Sequence, residues 1–316
     1  MDYILLIVGL ALITFCADML TRGCVGVAAR FNVPEFVVGL TIMAVGTSMP
    51  ELTVSVISAL KGSSEMAIGN VTGSNIFNVF IVIGLCALLR PMDITKENVR
   101  RDIPICIAIS ALLWLFTADE LFGFGAEGKI NRVEGIIFLL MYVGVILYTL
   151  RTAKGEGESE EQSDAPKMGM LKIIAFIVIG LGGLIYGGNL CLDSAIAIAR
   201  AWGVSESIIA ITIVAAGTSL PELASSISAL VSGKSSMALG NVIGSNVANI
   251  LLILGASSTI TPLTMGNITQ LDIAMVVLAP VLLLISALVI GHRRITRVEG
   301  LAFLAVYVAY VVLLMK

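Results

Sequence analysis

Thr41-Ile-Met-Ala-Val-Gly-Thr-Ser-Met-Pro-Glu51 and Thr212-Ile-Val-Ala-Ala-Gly-Thr-Ser-Leu-Pro-Glu222 are two copies of one sequence, spaced 171 residues apart. Both lie inside apolar segments, and each places a Pro and a carboxylate where a membrane helix should carry neither. The alignment needs no gap. From Thr41 to Gly84 against Thr212 to Gly255, 22 of 44 positions are identical. Each copy runs on into a second signature, Gly69-Asn-Val-Thr-Gly-Ser-Asn-Ile-Phe-Asn78 and Gly240-Asn-Val-Ile-Gly-Ser-Asn-Val-Ala-Asn249. A duplicated, helix-breaking, acidic element at membrane depth predicts an ion pathway at a repeat interface.

Composition sets the solvent. Of 316 residues, 58% are hydrophobic and 13% charged, with a mean hydropathy of +1.02, which excludes a soluble domain of this size. Apolar runs long enough to cross roughly 30 Å of hydrocarbon at about 1.5 Å per residue recur ten times. They fall near 3–28, 36–60, 66–89, 103–118, 133–150, 169–198, 206–231, 237–260, 271–290 and 298–315. Backbone groups in lipid must be satisfied within each segment, so the expected fold is an all-α polytopic membrane protein with ten transmembrane helices. Met1-Asp2-Tyr3 lacks a basic n-region and no small-residue cleavage site follows, so no cleaved leader is expected. Cys16, Cys24, Cys86, Cys106 and Cys191 all lie in apolar segments without a CxxC pair and read as small buried hydrophobes. The lone His292, beside Arg293 and Arg294, reads as a surface residue rather than a ligand.

The most polar stretch, 152–168, is acidic and bears Gly and Ser, the composition of a flexible linker. It divides a first five-helix repeat, 1–151, from a second, 169–316. An odd number of spans per repeat forces the copies into opposite orientations, so the two are inverted repeats with broken helices at the ion site. The repeat extends beyond its signatures: Gly9 aligns with Gly180, and Arg132-Val-Glu-Gly135 recurs as Arg297-Val-Glu-Gly300 after a shift of six residues. Assigning alternate loops to the two sides of the membrane puts 14 of the 19 Lys and Arg on the side of the linker. The positive-inside rule then places the linker in the cytoplasm and both termini outside, in a multi-pass protein of the cell (inner) membrane.

The chemistry follows from residue type. Pro50 lacks an N–H and its ring opens the preceding turn, which predicts carbonyls released around Ala44 and Gly46, and Pro221 does the same near Ala215 and Gly217. Thr47, Ser48, Thr218 and Ser219 add hydroxyls at the break, and Glu51 and Glu222 add carboxylates. These are hard oxygen donors suited to Ca²⁺ and Na⁺, with no nearby His or Cys cluster to favour a softer metal. Ser74 and Asn78, four apart, share a helix face, as do Ser245 and Asn249, and either face can close an oxygen cage. Gly69-x-x-x-Gly73 and Gly240-x-x-x-Gly244 would bring these helices close against the broken ones. Asn70, Asn75, Asn241 and Asn246 read equally as packing hydrogen-bonders or as supports of the ligands. Asp18 and Arg22, at i,i+4, read as a local ion pair.

These paired motifs resemble the cation/Ca²⁺ exchanger superfamily, in particular its prokaryotic Na⁺/Ca²⁺ exchangers (sodium:calcium antiporters), over the whole chain. The resemblance implies ten helices in two inverted halves, alternating access by sliding of the first and sixth helices, and four ion sites, one for Ca²⁺ and up to three for Na⁺. It implies as ligands Ala44, Thr47, Ser48, Glu51, Ser74 and Asn78, with Ala215, Thr218, Ser219, Glu222, Ser245 and Asn249. One position departs: many members carry Asp where this chain has Asn249, which counts against K⁺-coupled transport.

The expected function is therefore secondary active antiport of Na⁺ against Ca²⁺, not enzymatic catalysis. Two ionised glutamates give a charge of −2, which one Ca²⁺ or two Na⁺ neutralises. The partners are those two ions and the lipid bilayer, with no cofactor, no nucleic acid and no obligate protein partner. Ca²⁺/H⁺ antiport, with the glutamates as proton carriers, is the alternative reading. An intramembrane hydrolase using the Glu pair is a third, and it lacks a nucleophile–base constellation.

Overall fold

The computed structural model describes residues 1–118, 128–156, 168–203, 215–290 and 293–314. Most of the acidic linker, His292 and Lys316 lie outside the described residues. Long apolar stretches without interior Pro become the long helices. These are α1 (Asp2–Phe31), and later α8 (Arg132–Glu156) and α9 (Met170–Ala201). Between α1 and α8 the chain is more broken. It forms α2 (Glu35–Val38), α3 (Ala44–Thr47), α4 (Met49–Leu60), α5 (Ser64–Phe77), α6 (Gly84–Leu89) and α7 (Ile103–Thr117). After α9 come α10 (Ala215–Gly217), α11 (Leu220–Val231), α12 (Ser235–Ala248), α13 (Gly255–Ile260), α14 (Gln270–Ile285) and α15 (Arg297–Leu314).

Among the described residues, seven helices are long and apolar enough to span a membrane, and eight if Glu35–Thr47 and Met49–Leu60 count as one broken span. The remaining two runs of the sequence are present in shorter form. One is α7, preceded directly by a π-helical segment at Asn98–Asp102, and the other is α11, whose approach at 204–214 lies outside the described residues. The protein is a nearly all-helical, multi-pass membrane protein.

The repeat is legible in backbone geometry. α4 and α11 have 12 residues each, α5 and α12 have 14, and each member of a pair lies 171 residues from its counterpart. Both α5 and α12 open into a six-residue π-helical segment, Asn78–Ile83 and Asn249–Leu254, before continuing as α6 and α13. Wide turns of this kind recur at functional sites. Here each begins on an asparagine of the second signature. The spans Ser64–Leu89 and Ser235–Ile260 are the inner ones, burying 78% and 94% of their most apolar stretch, whereas Arg132–Thr152 buries 17%.

The chain forms two compact units, Met1–Pro50 with Thr149–Gly244, and Glu51–Tyr148 with Ser245–Lys316. Each draws on both sequence repeats. In the first unit, α1 packs along α9 through glycines. A Cβ on Gly180 would come within 2.8 Å of the Leu20 backbone nitrogen, and one on Gly9 within 2.7 Å of Cys191 Sγ. The Gly240-x-x-x-Gly244 face lies against the first repeat's broken span as expected: a Cβ on Gly244 would meet the Leu40 backbone and one on Gly240 the Phe36 carbonyl. The segment corresponding to Phe36–Leu40 in the second repeat falls within 204–214, outside the described residues. Asp18 and Arg22 form the expected local pair at 2.8 Å.

In the second unit, four two-residue strands pair across the repeats, a feature that the apolar pattern does not announce. β1 (Met92–Asp93) pairs antiparallel with β4 (Arg294–Ile295), and β2 (Lys129–Ile130) with β3 (Leu263–Thr264). The repeated Arg-Val-Glu-Gly motif has a structural role there. Arg132 donates to the Ile260 carbonyl at the end of α13, and Arg297 donates to the Leu88 carbonyl near the end of α6. Glu134 and Glu299 accept the backbone N–H groups of Asn131 and Thr296, closing the starts of their helices. Gly135 and Gly300 let those helices cross close to Gly255 and Gly84.

Close backbone approach makes Gly244 and Gly182 unequal. Gly182 has no described atom within 4 Å of an added Cβ. Gly244→Ala should lower the thermal unfolding midpoint in detergent, with overpacking costing about 1–3 kcal/mol. Gly182→Ala should leave the midpoint level or raise it, since Ala favours a helix over Gly by roughly 1 kcal/mol.

Candidate cation site

The Thr-Ser-x-Pro-Glu motif is a helix restart. Ser48 leaves helical geometry (φ −82°, ψ 10°), as does Ser219 (φ −91°, ψ 7°), and a new helix begins at the next residue. Pro50 and Pro221 therefore stand in a first turn, where a missing N–H costs nothing, rather than inside a continuous helix. The expected release of the Ala44 carbonyl does not follow from this geometry. Its oxygen still accepts the Ser48 amide at 3.0 Å and Thr47 Oγ1 at 3.3 Å, because the chain turns after Ser48 and not before it. Glu51 and Glu222 occupy the first turns of α4 and α11, where the positive end of a helix dipole favours a carboxylate.

In the first unit, Glu222 is fully buried and its Oε1 accepts Ser48 Oγ at 2.8 Å. Its Oε2 accepts no hydrogen bond among the described residues. Ser219, three residues before it, is buried, as are Ala44, Thr47 and Ser48 of the first repeat, while Thr218 is half-buried. Ala215 opens α10, and its side chain lies outside the described residues. Asn241 ties the arrangement together. Its Nδ2 donates to Ser225 Oγ at 3.0 Å, Ser226 Oγ at 2.9 Å and the Glu222 carbonyl at 3.4 Å. That leaves Asn241 Oδ1 toward Thr47, whose one hydroxyl hydrogen is shared between it at 3.4 Å and the Ala44 carbonyl at 3.3 Å. The serines, Asn241 and Thr47 thus hold the Ser48–Glu222 pair in one arrangement.

The second unit carries the other glutamate. Glu51 is buried and accepts Ser74 Oγ on Oε1 at 3.3 Å. Asn70 Nδ2 donates to the Glu51 carbonyl at 3.2 Å and to Ser55 Oγ at 3.0 Å, repeating the Asn241 arrangement. Asn78, Ser245 and Asn249 are buried too. Asn78 Oδ1, Asn249 Oδ1 and Ser245 Oγ accept or donate no hydrogen bond among the described residues. An uncharged buried oxygen without a donor is costly unless something else fills the role, and a hard cation does so. Among the described residues no cluster of three His, Cys, Asp or Glu exists, so the donor set is hydroxyl, amide and isolated carboxylate oxygen. That set suits Na⁺ or Ca²⁺ better than a transition metal.

The sodium/calcium exchanger protein model matches residues 1–151 and 172–316. The chain belongs to the sodium/calcium exchanger family. The putative antiporter CaxA of Alkalimonas amylolytica is 35% identical over 98% of both chains. The sodium/calcium exchanger MaX1 of Methanosarcina acetivorans is 31% identical, over 99% of this chain and 98% of its own. Among solved structures, the sodium-calcium exchanger NCX_Mj soaked with zero Na⁺ and Ca²⁺ superposes with a TM-score of 0.84, at 30% identity, covering 99% and 98% of the two chains. This exchanger-family chain is accordingly a membrane cation antiporter.

The structure brings the motif residues together within each unit, one glutamate in each. Of the four asparagines left between packing and support, Asn70 and Asn241 each brace the glutamate-bearing turn of their own unit. Ser225 escaped sequence reasoning. Ser55 and Ser226 were recoverable from the repeat: each stands four residues after a motif glutamate.

The two hydrogens of Asn241 Nδ2 are shared among three acceptors, and Ser226 contributes only one of them. Asn241→Leu should therefore destabilise the protein by about 1–3 kcal/mol, and Ser226→Ala by no more than about 1 kcal/mol. Thermal unfolding of the purified variants in detergent reads the difference.

Proposed function

We propose that the protein exchanges Na⁺ for Ca²⁺ across the cell membrane by alternating access, with Glu51 and Glu222 as the central cation ligands. The observation that carries this reading is two fully buried carboxylates, each at a helix restart and each accepting a serine hydroxyl, in a chain of the exchanger family. The proposed ligands are Ala44, Thr47, Ser48 and Glu51, their counterparts Ala215, Thr218, Ser219 and Glu222, and the pairs Ser74–Asn78 and Ser245–Asn249.

Charge explains why such a site exchanges rather than leaks. With both glutamates ionised the ligand set carries −2, and moving that charge through a low-dielectric barrier is expensive. One Ca²⁺ neutralises it, and so do two Na⁺. Translocation then requires an occupied site, the condition for antiport. A third Na⁺ makes each cycle move net charge, so an imposed membrane potential should change the rate.

The linker 152–168 is placed in the cytoplasm and both termini outside, on the strength of the Lys and Arg distribution. A cysteine introduced at Ser163 in a background without native cysteines should resist an impermeant thiol reagent applied to intact cells. Ready labelling would reverse the orientation while leaving the repeat intact.

The functional test is Ca²⁺ uptake into proteoliposomes under an imposed Na⁺ gradient at fixed pH, with K⁺ present and absent. Uptake should follow the Na⁺ gradient and need no K⁺. Ca²⁺ uptake driven by a pH gradient with Na⁺ absent would identify Ca²⁺/H⁺ antiport instead. Glu51→Gln and Glu222→Gln keep side-chain shape but each removes one charge. At close range that is worth about 4 kcal/mol, so each variant should lose on the order of a hundredfold or more in Ca²⁺ transport while still inserting and folding. Robust flux in the double variant would refute the site.

A further inference from the structure

Four buried asparagines of the second unit form a reciprocal clasp. Asn78 Nδ2 donates to Asn246 Oδ1 at 3.1 Å, and Asn249 Nδ2 donates to Asn75 Oδ1 at 3.0 Å. All four are at most 3% exposed. The two bonds are counterparts under the repeat, since Asn75 corresponds to Asn246 and Asn78 to Asn249. The oxygen and nitrogen of an amide have nearly the same shape, so the bond network must orient each one.

The network does so on one side only. Asn246 Nδ2 donates to the backbone carbonyl of Asn75 at 3.3 Å. A carbonyl can only accept, so Asn246 must turn its nitrogen there and its oxygen to Asn78. Asn78 must then give its nitrogen to Asn246, which leaves Asn78 Oδ1 buried and with no hydrogen bond among the described residues. The other pair has no such anchor. Asn75 Nδ2 and Asn249 Oδ1 both lack a hydrogen-bond partner among the described residues. Both amides can turn over together, with Asn75 Nδ2 then donating to Asn249 Oδ1, and keep one mutual bond.

We propose that Asn246 is a positioning residue that commits Asn78 Oδ1 to cation binding, whereas position 249 accepts either an amide or a carboxylate because Asn75 can turn to serve it. The proposal rests on the exchange reading above. It breaks the symmetry of the repeat in a way the asparagines shared by the two motifs do not suggest. Asn78→Asp would set a carboxylate oxygen against Asn246 Oδ1, and the Asn75 carbonyl prevents Asn246 from turning away. Asn249→Asp would instead find the Asn75 amide nitrogen as a donor.

The test measures the apparent Ca²⁺ constant and maximal rate of Na⁺-driven uptake for four single variants. Losing one oriented hydrogen bond to a ligand corresponds to roughly a tenfold effect. Asn78→Asp should therefore raise the Ca²⁺ constant about tenfold or more, and Asn249→Asp should stay within about threefold of the parent. Asn246→Ala should raise the constant about fivefold with the maximal rate little changed, and Asn75→Ala, which leaves its own carbonyl in place, about twofold or less. Equal shifts for Asn78→Asp and Asn249→Asp, or a parental Ca²⁺ constant in Asn246→Ala, would overturn the proposal. If Asn78→Asp does not accumulate, the Asn246→Ala and Asn75→Ala pair decides. The same series read as the Ca²⁺-induced rise in Tm of purified protein needs no transport. A parent without Na⁺-driven flux thus refutes the exchange reading, and the Tm series still judges the clasp.

Discussion

A carboxylate buried in a membrane protein is the constraint around which this structure is arranged. Glu51 and Glu222 are fully buried, and a charge at membrane depth is tolerated only where dipoles, hydrogen bonds or a counter-ion replace water. The fold supplies the first two by restarting a helix immediately before each glutamate. The restart places the side chain at the positive end of a helix and within reach of a serine hydroxyl. Everything nearby serves that turn: Ser48 on the carboxylate of Glu222, Ser74 on that of Glu51, and an asparagine braced on the backbone of each.

Packing around the two restarts depends on close backbone approach. The inner span Ser235–Ile260 carries Gly240 and Gly244 where the first repeat's broken span lies against it, and α1 meets α9 over glycines for the same reason. The helices of the second unit cross at Gly84 with Gly300 and at Gly255 with Gly135. In lipid, helix association gains little from burying apolar surface, so small residues that bring backbones together supply the van der Waals contact. The short cross-repeat strand pairs and the Arg132 and Arg297 bonds to helix-end carbonyls satisfy backbone groups that no helix can satisfy internally.

Duplication supplies near-symmetry, and hydrogen bonding then departs from it. Each repeat contributes the same two asparagines, yet one main-chain carbonyl orients one pair and leaves the other free to turn. Asparagines shared by two motifs therefore need not have the same hydrogen-bond surroundings.

The sequence by itself determined the membrane setting, the helical class, the repeat and the glutamates. Apolar run length, an ungapped 171-residue spacing and a Pro-Glu pair at membrane depth are each local signals that no tertiary context can hide. It also pointed to Asn78 and Asn249, through their four-residue spacing from Ser74 and Ser245. Only the tertiary structure decided what Pro50 does, because a proline that breaks a helix and one that begins a helix read the same until the turn at Ser48 is seen. It alone assigned the hydrogen-bond partners of Asn70, Asn75, Asn241 and Asn246, since a side-chain amide can donate or accept and those partners lie up to 194 residues away in the chain. It alone showed that each compact unit draws on both repeats, because apolar periodicity reports which segments cross the membrane and not which of them pack together.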